Sequence, residues 1–280
     1  MQITAASAHV GAFVSDVDLR ELDAAAIEQI DAAWAEHGAL FFRDQQLSEA
    51  DHISLAESFA DIDINQFFTP VATHPQIAEV RKEPDQEVNV GGGWHTDHSY
   101  DDVPARGSIL VARDLPSSGG DTRFLCVGAA FDSLSPGLQR TLEGLRAHHT
   151  NEHVFGKKAA DAYDDDDDRF QNPEGVGGTT HPVVVRHPTT GRKLLYVNAA
   201  FTTHFVGWTI EESKPLLTYL FQHVSNGPYS YQFEWQPGSV AMWDNRSTWH
   251  WALNDYQGQR RVMHRITVSG EELEQRVSVK

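Results

Sequence analysis

Cysteine is nearly absent. Cys126 stands alone among 280 residues, so no disulfide can form within the chain, and a reducing, cytoplasmic setting is expected. Basic residues are scarce: 22 Lys and Arg stand against 40 Asp and Glu, a formal net charge of -18. A surface of that sign repels polyphosphate and anionic lipid, which sets nucleic acid and membrane partners aside. No apolar run approaches the roughly eighteen residues of a membrane span. The opening Met1-Gln2-Ile3-Thr4 has no basic stretch followed by an apolar one, so no secretion signal is expected. Internal repeats and a linker between two cores are also missing, and a single catalytic domain over residues 1–280 is the expectation.

Hydrophobic residues make up 40% of the chain, enough for a sizeable core. Residues 24–37 place Ala26, Ile27, Ile30, Ala33 and Trp34 at helical spacing, and Gly38 follows as a stop. Ser48 caps a second helix carrying Leu55 and Phe59. Ala129 to Leu145 reads as helix broken near Pro136, and Glu211 to Val224 as an amphipathic helix. Strand patterns cover residues 39–42, 77–80, 108–112, 183–186, 194–197, 229–235, 239–243 and 262–268, with Pro188 to Gly191 as a hairpin turn. Strands outnumber helices, which predicts a mainly β fold, a sandwich or jelly roll with helices packed outside. Residues 154–181 are polar, acidic and glycine-bearing, the pattern of a mobile lid. Within them Asp164 to Asp168 read as a solvated acidic loop, since the Gly and terminal Glu of a calcium loop are missing.

Chemistry concentrates in Trp94-His95-Thr96-Asp97 and in the distant His250. Residues i and i+2 of a strand share a face, so His95 and Asp97 can reach one metal, and a third ligand must come from elsewhere. Two imidazoles and one carboxylate form the facial set that holds Fe(II) with open positions for oxygen and a co-substrate. His-x-Asp alone is weak evidence; His148, His149, His153, His181 and His187 are expected at the surface or in packing. Arg261 follows His250 on what reads as the adjacent antiparallel strand, joined through Asn254 to Gly258, and a guanidinium there would pair with a carboxylate. Thr122 offers a hydroxyl from the Gly119-Gly120-Asp121 turn, and Arg265 shares the strand face of Arg261. Two other readings use the same residues: a zinc hydrolase, and a metal- or acid-binding jelly roll without catalysis.

Taken together, Trp94 to Asp97, Leu115 to Thr122, Trp243 to Arg246 and His250 through Arg265 resemble the taurine dioxygenase family of Fe(II)/2-oxoglutarate oxygenases, which also contains alkylsulfatases and phenoxyalkanoate herbicide dioxygenases. The likeness runs from about Val10 to Gly270. It implies a double-stranded β-helix, with His95, Asp97 and His250 as iron ligands and Thr122 and Arg261 on the distal carboxylate of 2-oxoglutarate. It implies O2-dependent hydroxylation of a substrate C–H bond, with succinate and CO2 as co-products, and Arg265 on an acidic group of the substrate. With Asp97 as the carboxylate ligand, the resemblance also implies hydroxylation rather than halogenation.

The likeness to taurine dioxygenase fails where that enzyme holds its substrate. Asn65 and Phe68 stand where it has a His and a Tyr, Gly91 replaces an Asn, and His98 follows the carboxylate ligand in place of a small apolar residue. Phe155 and Phe201 match aromatic pocket positions. The expected substrate is therefore a small anion other than taurine: a sulfonate, an alkyl sulfate or a carboxylate. His98 is expected either to add a contact to it or to pack against the lid. Trp249 and Trp251 flank His250 on the opposite strand face, where core packing is expected. A homo-oligomer, dimer or tetramer, is the expected assembly.

Overall fold

The computed structural model describes residues 1–155, 169 and 176–273. In chain order the elements are β1 (Gln2–Ala5), β2 (Ala12–Ser15), α1 (Ala24–His37), β3 (Ala39–Phe42), α2 (Glu49–Glu57), β4 (Ile62–Asp63), β5 (Pro70–Val71), β6 (His74–Lys82), β7 (Gly107–Asp114), β8 (Thr122–Cys126), α3 (Val127–Asp132) and α4 (Pro136–Glu143). They continue with β9 (Arg146–Thr150), α5 (Glu152–Phe155), β10 (Gly178–Pro182), β11 (Val184–Arg186), β12 (Lys193–Leu195), β13 (Thr202–Phe205), α6 (Ile210–Asn226), β14 (Ser230–Phe233), β15 (Val240–Asp244), β16 (Thr248–Ala252) and β17 (Arg261–Val268).

The helices begin and end on local chemistry. Asp23 accepts the Ala26 N–H at 2.7 Å to start α1, and Gly38, at φ 70°, returns its N–H to the Trp34 carbonyl. Ser48 and Asp51 form a reciprocal capping box on α2.

A large sheet runs β1-β2-β3-β15-β7-β17-β6-β5, with β4 also on β17. A smaller sheet, β14-β8-β16, faces it, and β10-β9-β13 and the β11-β12 hairpin extend that side. Period-2 alternation divides the large sheet's residues between two cores. Ala39, Phe41, Ala241, Trp243 and Met263 face inward to Phe124 and Phe233 of the smaller sheet, and Phe41 stacks on Phe233 at 4.3 Å. Leu40, Phe42, Val240, Met242, Ile266 and Val268 face outward, where Ile30 and Trp34 of α1 and Leu55 of α2 cover them. Two facing sheets with helices outside make the jelly roll, and the parity that turns Met263 inward turns Arg261 and Arg265 inward too.

Two sequence expectations need correction. β16 does not pair with β17: β16 pairs with β8 in the smaller sheet and β17 with β6 and β7 in the large one. His250 and Arg261 therefore approach each other across the gap between sheets. His95 is not in a regular strand either. It makes an isolated bridge with His250, and the chain turns directly afterwards. Of the expected lid, Val154 and Phe155 lie in α5 and residues 178–181 in β10, paired with β9; residues 156–168 and 170–175, including the acidic run, lie outside the described residues.

Candidate active site

Two backbone hydrogen bonds join the predicted ligands. The His95 N–H donates to the His250 carbonyl at 3.1 Å and the His250 N–H to that of His95 at 2.8 Å. The bridge sets the imidazoles side by side, ring centroids 4.1 Å apart. Asp97 then points back at both: Oδ1 lies 3.7 Å from His95 Nε2 and Oδ2 3.7 Å from His250 Nε2. One ligand atom from each residue falls within 4.8 Å of the others. His95 Nδ1–H donates to the Gly93 carbonyl at 2.8 Å, which selects the tautomer whose Nε2 lone pair faces the cluster. The donor set and its convergence fit a facial Fe(II) site.

Electrostatics keep this set ready for a cation. Burial lowers the His250 imidazole well below the ordinary histidine range, helped by His95 and Arg265 and opposed by Asp97, so it stays neutral. Burial works to raise the Asp97 carboxyl, but Arg265, His250, His95 and His98 overcome it and hold it well below the usual carboxylate range. Arg265 is the closest, with Nη1 donating to Asp97 Oδ2 at 3.2 Å.

The cluster opens into a cavity of about 490 Å³ lined also by Thr122, Arg261 and Arg265. Arg261 is buried, yet its Nε and Nη2 have no hydrogen-bond partner among the described residues. Burial pulls its guanidinium below the ordinary value. A buried, unpaired guanidinium is costly unless a ligand completes it. Thr122 Oγ1 accepts the Trp235 Nε1–H at 2.9 Å, which leaves the hydroxyl proton free to donate into the cavity. Gly120 makes room at φ 72°: a Cβ there would sit 3.1 Å from Arg261 Cδ. These three unspent donors share a cavity with the His95, Asp97 and His250 cluster, an arrangement that suits a carboxylate able also to reach a metal held there.

Residues 2–267 match the model of the taurine catabolism dioxygenase TauD, TfdA family. The chain belongs to the TauD/TfdA family. It is 33% identical to an alkylsulfatase of Acinetobacter baylyi, over 97% of this chain and 86% of that protein. It is 31% identical to the (S)-phenoxypropionate/alpha-ketoglutarate-dioxygenase of Sphingobium herbicidovorans, over 93% of this chain and 92% of that one. A solved taurine dioxygenase from Burkholderia xenovorans superposes with a TM-score of 0.80 at 33% identity, over 96% of this chain and 91% of that one.

As in other members of the TauD/TfdA family, the reaction is a dioxygenation. Asn65, Phe68, Gly91, Phe155 and Phe201 all line the cavity. Asn65 Oδ1 accepts the N–H groups of Phe67 at 2.9 Å and Phe68 at 3.0 Å, so its carbonyl holds the turn that presents Phe68. Phe68 lies under the Arg265 guanidinium at 4.8 Å, and Phe155 forms a wall with Phe67, stacked at 4.4 Å. Gly91 has φ 75°, and a Cβ there would come within 3.2 Å of His95 Cε1. His98 is placed differently from the expectation of a pocket contact. It is buried, does not line the cavity, takes φ 60° and holds Asp101 through Nδ1 at 2.8 Å. Its ring buttresses the turn that carries Asp97.

Trp249 meets Phe221 of α6 and Trp251 meets Trp94, both on the face away from the His95, Asp97 and His250 cluster. Tyr100, Asn89 and Trp243 also line the cavity and were not singled out in the sequence. Trp243 carried the only available signal, as the head of Trp243-Asp244-Asn245-Arg246. Behind it, Asp244 pairs with Arg246 at 2.6 Å and His187 at 3.1 Å, fully buried, and fixes the turn leading to His250.

Proposed function

We propose that this chain is an Fe(II)- and 2-oxoglutarate-dependent dioxygenase that hydroxylates a C–H bond of a small organic anion other than taurine. One observation carries the reading: the His95, Asp97 and His250 cluster shares a cavity with the unpaired donors of Arg261 and the free hydroxyl of Thr122. His95, Asp97 and His250 hold the metal, and Arg261 and Thr122 take the distal carboxylate of 2-oxoglutarate. When bound, iron with 2-oxoglutarate and O2 supplies the oxidation, releasing succinate and CO2.

The chain's own residues supply placement. Neutral His250 and ionised Asp97 present lone pairs without a proton to displace. Phe68, Phe155 and Phe201 give the cavity an apolar wall, and Asn65 holds Phe68 in place. Arg265 neutralises Asp97 and keeps a buried Nε without a hydrogen-bond partner, so one guanidinium can face both the metal site and the substrate's anionic group. Among the described lining residues Asp97 is the sole carboxylate, and Arg265 already occupies it. Among the described residues no carboxylate is left there for an ammonium, which favours a sulfonate, sulfate ester or carboxylate with an uncharged body over taurine.

Among the described residues no helix is long and apolar enough to cross a membrane. A single catalytic domain, a cytoplasmic location and a homo-oligomer remain part of the proposal, and sedimentation analysis tests the assembly. The function itself is tested by succinate release with Fe(II), O2 and 2-oxoglutarate over sulfonates, alkyl sulfates, phenoxyalkanoates and taurine. Anionic substrates should respond and be silenced by His95→Ala. A response confined to uncharged or amine substrates overturns the role of Arg265.

A further inference from the structure

Lys82 closes β6 directly opposite Arg261 of β17. Cross-strand partners in an antiparallel pair put their side chains on one face. Two cations therefore sit side by side on the inner face, Lys82 at 1% and Arg261 at 4% exposure. Among the described residues neither is paired with a carboxylate. Lys82 Nζ instead donates to Asn254 Oδ1 at 2.9 Å and Gln257 Oε1 at 2.8 Å, and lies 4.5 Å from the centre of the Tyr256 ring. All three belong to the segment joining β16 to β17, that is, joining His250 to Arg261.

That segment touches each part of the co-substrate end. The Leu253 N–H donates to the Asp121 carbonyl at 2.9 Å, beside Thr122. Asp255 Oδ1 accepts the Gly120 N–H at 2.7 Å, and Gly120 packs on Arg261. Asn254 Nδ2 and Gln257 Nε2 both donate to the Glu87 carbonyl, which turns their amide oxygens towards Lys82. The amides are thus oriented by one partner for the other. A lysine kept in such a place at the cost of burying its charge, beside another cation, calls for a task that a hydrophobic side chain of similar length cannot do.

We infer that Lys82 is a positioning residue for the dicarboxylate co-substrate. It pins residues 254–257 and so holds Arg261 and the Gly120–Thr122 turn in the geometry that receives the distal carboxylate. It does not touch the co-substrate; it acts through the segment. The inference rests on the proposed role of Arg261.

The test uses the full chain with Fe(II) under anaerobic conditions, reading the rise in Tm on adding 2-oxoglutarate, and then KM and kcat for 2-oxoglutarate in air. Wild type must show the rise and Arg261→Ala must lose it; failure of either overturns the co-substrate site itself and is separate from the role of Lys82. Given that, Lys82→Met is expected to raise KM about tenfold, leave kcat within about twofold and shrink the Tm rise. Lys82→Arg should restore most of it. The Asn254→Ala/Gln257→Ala double variant, which changes only the outer half of the clamp and leaves the charge in place, should raise KM similarly. That variant decides the matter if Lys82→Met does not fold. Wild-type KM and Tm rise in the double variant, or a loss confined to kcat, overturns the inference.

Discussion

Replacing Arg261 with Met should trade function for stability. In the free protein the guanidinium is buried, and Nε and Nη2 have no hydrogen-bond partner among the described residues. Exchanging a buried, poorly compensated charge for an apolar side chain of similar volume is neutral or stabilising by about 1–4 kcal/mol. Trp235, whose ring lies 5.8 Å from the guanidinium carbon, offers the methionine sulfur an aromatic neighbour. With 2-oxoglutarate the balance reverses. Hydrogen bonds to a charged group are worth about 1.5–3 kcal/mol each, so losing two removes about 3–6 kcal/mol of binding. At about 1.4 kcal/mol per factor of ten, affinity falls roughly hundredfold to ten-thousandfold. Wild type saturated at about a hundred times its Kd gains about 2.7 kcal/mol, and the variant gains almost nothing at that concentration. Differential scanning calorimetry with and without 2-oxoglutarate reads both effects. An Arg261→Met protein that melts well below wild type without ligand, yet still shifts with 2-oxoglutarate, refutes the reasoning.

Thr122→Val removes a ligand donor and also the acceptor of Trp235 Nε1, so KM for 2-oxoglutarate should rise about tenfold and stability fall by about 1–3 kcal/mol in urea titration. Gly91→Ala forces an L-residue into φ 75° and a Cβ to 3.2 Å from His95 Cε1; Mn(II) affinity by calorimetry should drop at least about tenfold, and an unchanged value would show that the ligand ring has slack. Burial, with the charge of Arg113, pushes His52 down to about 3 from 6.5, so the unfolded chain binds the extra proton between those values and stability falls as pH drops below 6.5. From pH 7 to pH 5 the loss attributable to His52 is about 2 kcal/mol, and His52→Leu should flatten that part of the pH profile in urea unfolding.

Local signals were legible wherever the physics is local. The 24–37 helix and its Gly38 stop, the Ser48 cap and the 183–197 hairpin all follow from neighbouring residues, and the structure keeps them. Short polar strands were not: β9 reads Arg-Ala-His-His-Thr and β13 Thr-Thr-His-Phe, patterns with no clean alternation, and they form because each pairs with the other. The alternation of Trp249, His250 and Trp251 marks β16, while the Asp244-Asn245-Arg246 turn before it is fixed by partners that are partly distant, since buried Asp244 pairs with Arg246 and with His187. The sheet assignment of β16 and β17 is likewise non-local, so adjacency in sequence suggested a pairing that the jelly roll replaces with a gap.

The gap is what makes the site. Had β16 and β17 paired, His250 and Arg261 would sit on one sheet surface with no cavity between them. Placed on facing sheets, they line one cavity, and on the proposed function a dicarboxylate would lie between them with its far carboxylate at Arg261. The surrounding charge sharpens this choice. The chain's net charge of -18 opposes any anion at a distance, but at physiological salt that field decays within about 8 Å. Inside the cavity Arg261 and Arg265, both buried, act at contact range, where screening is weak. Salt should therefore speed the arrival of 2-oxoglutarate while leaving its departure nearly unchanged. Stopped-flow binding showing a falling on-rate with added salt would mean that a long-range attraction outweighs the acidic surface, and that Arg261 and Arg265 dominate the field well outside the cavity they line.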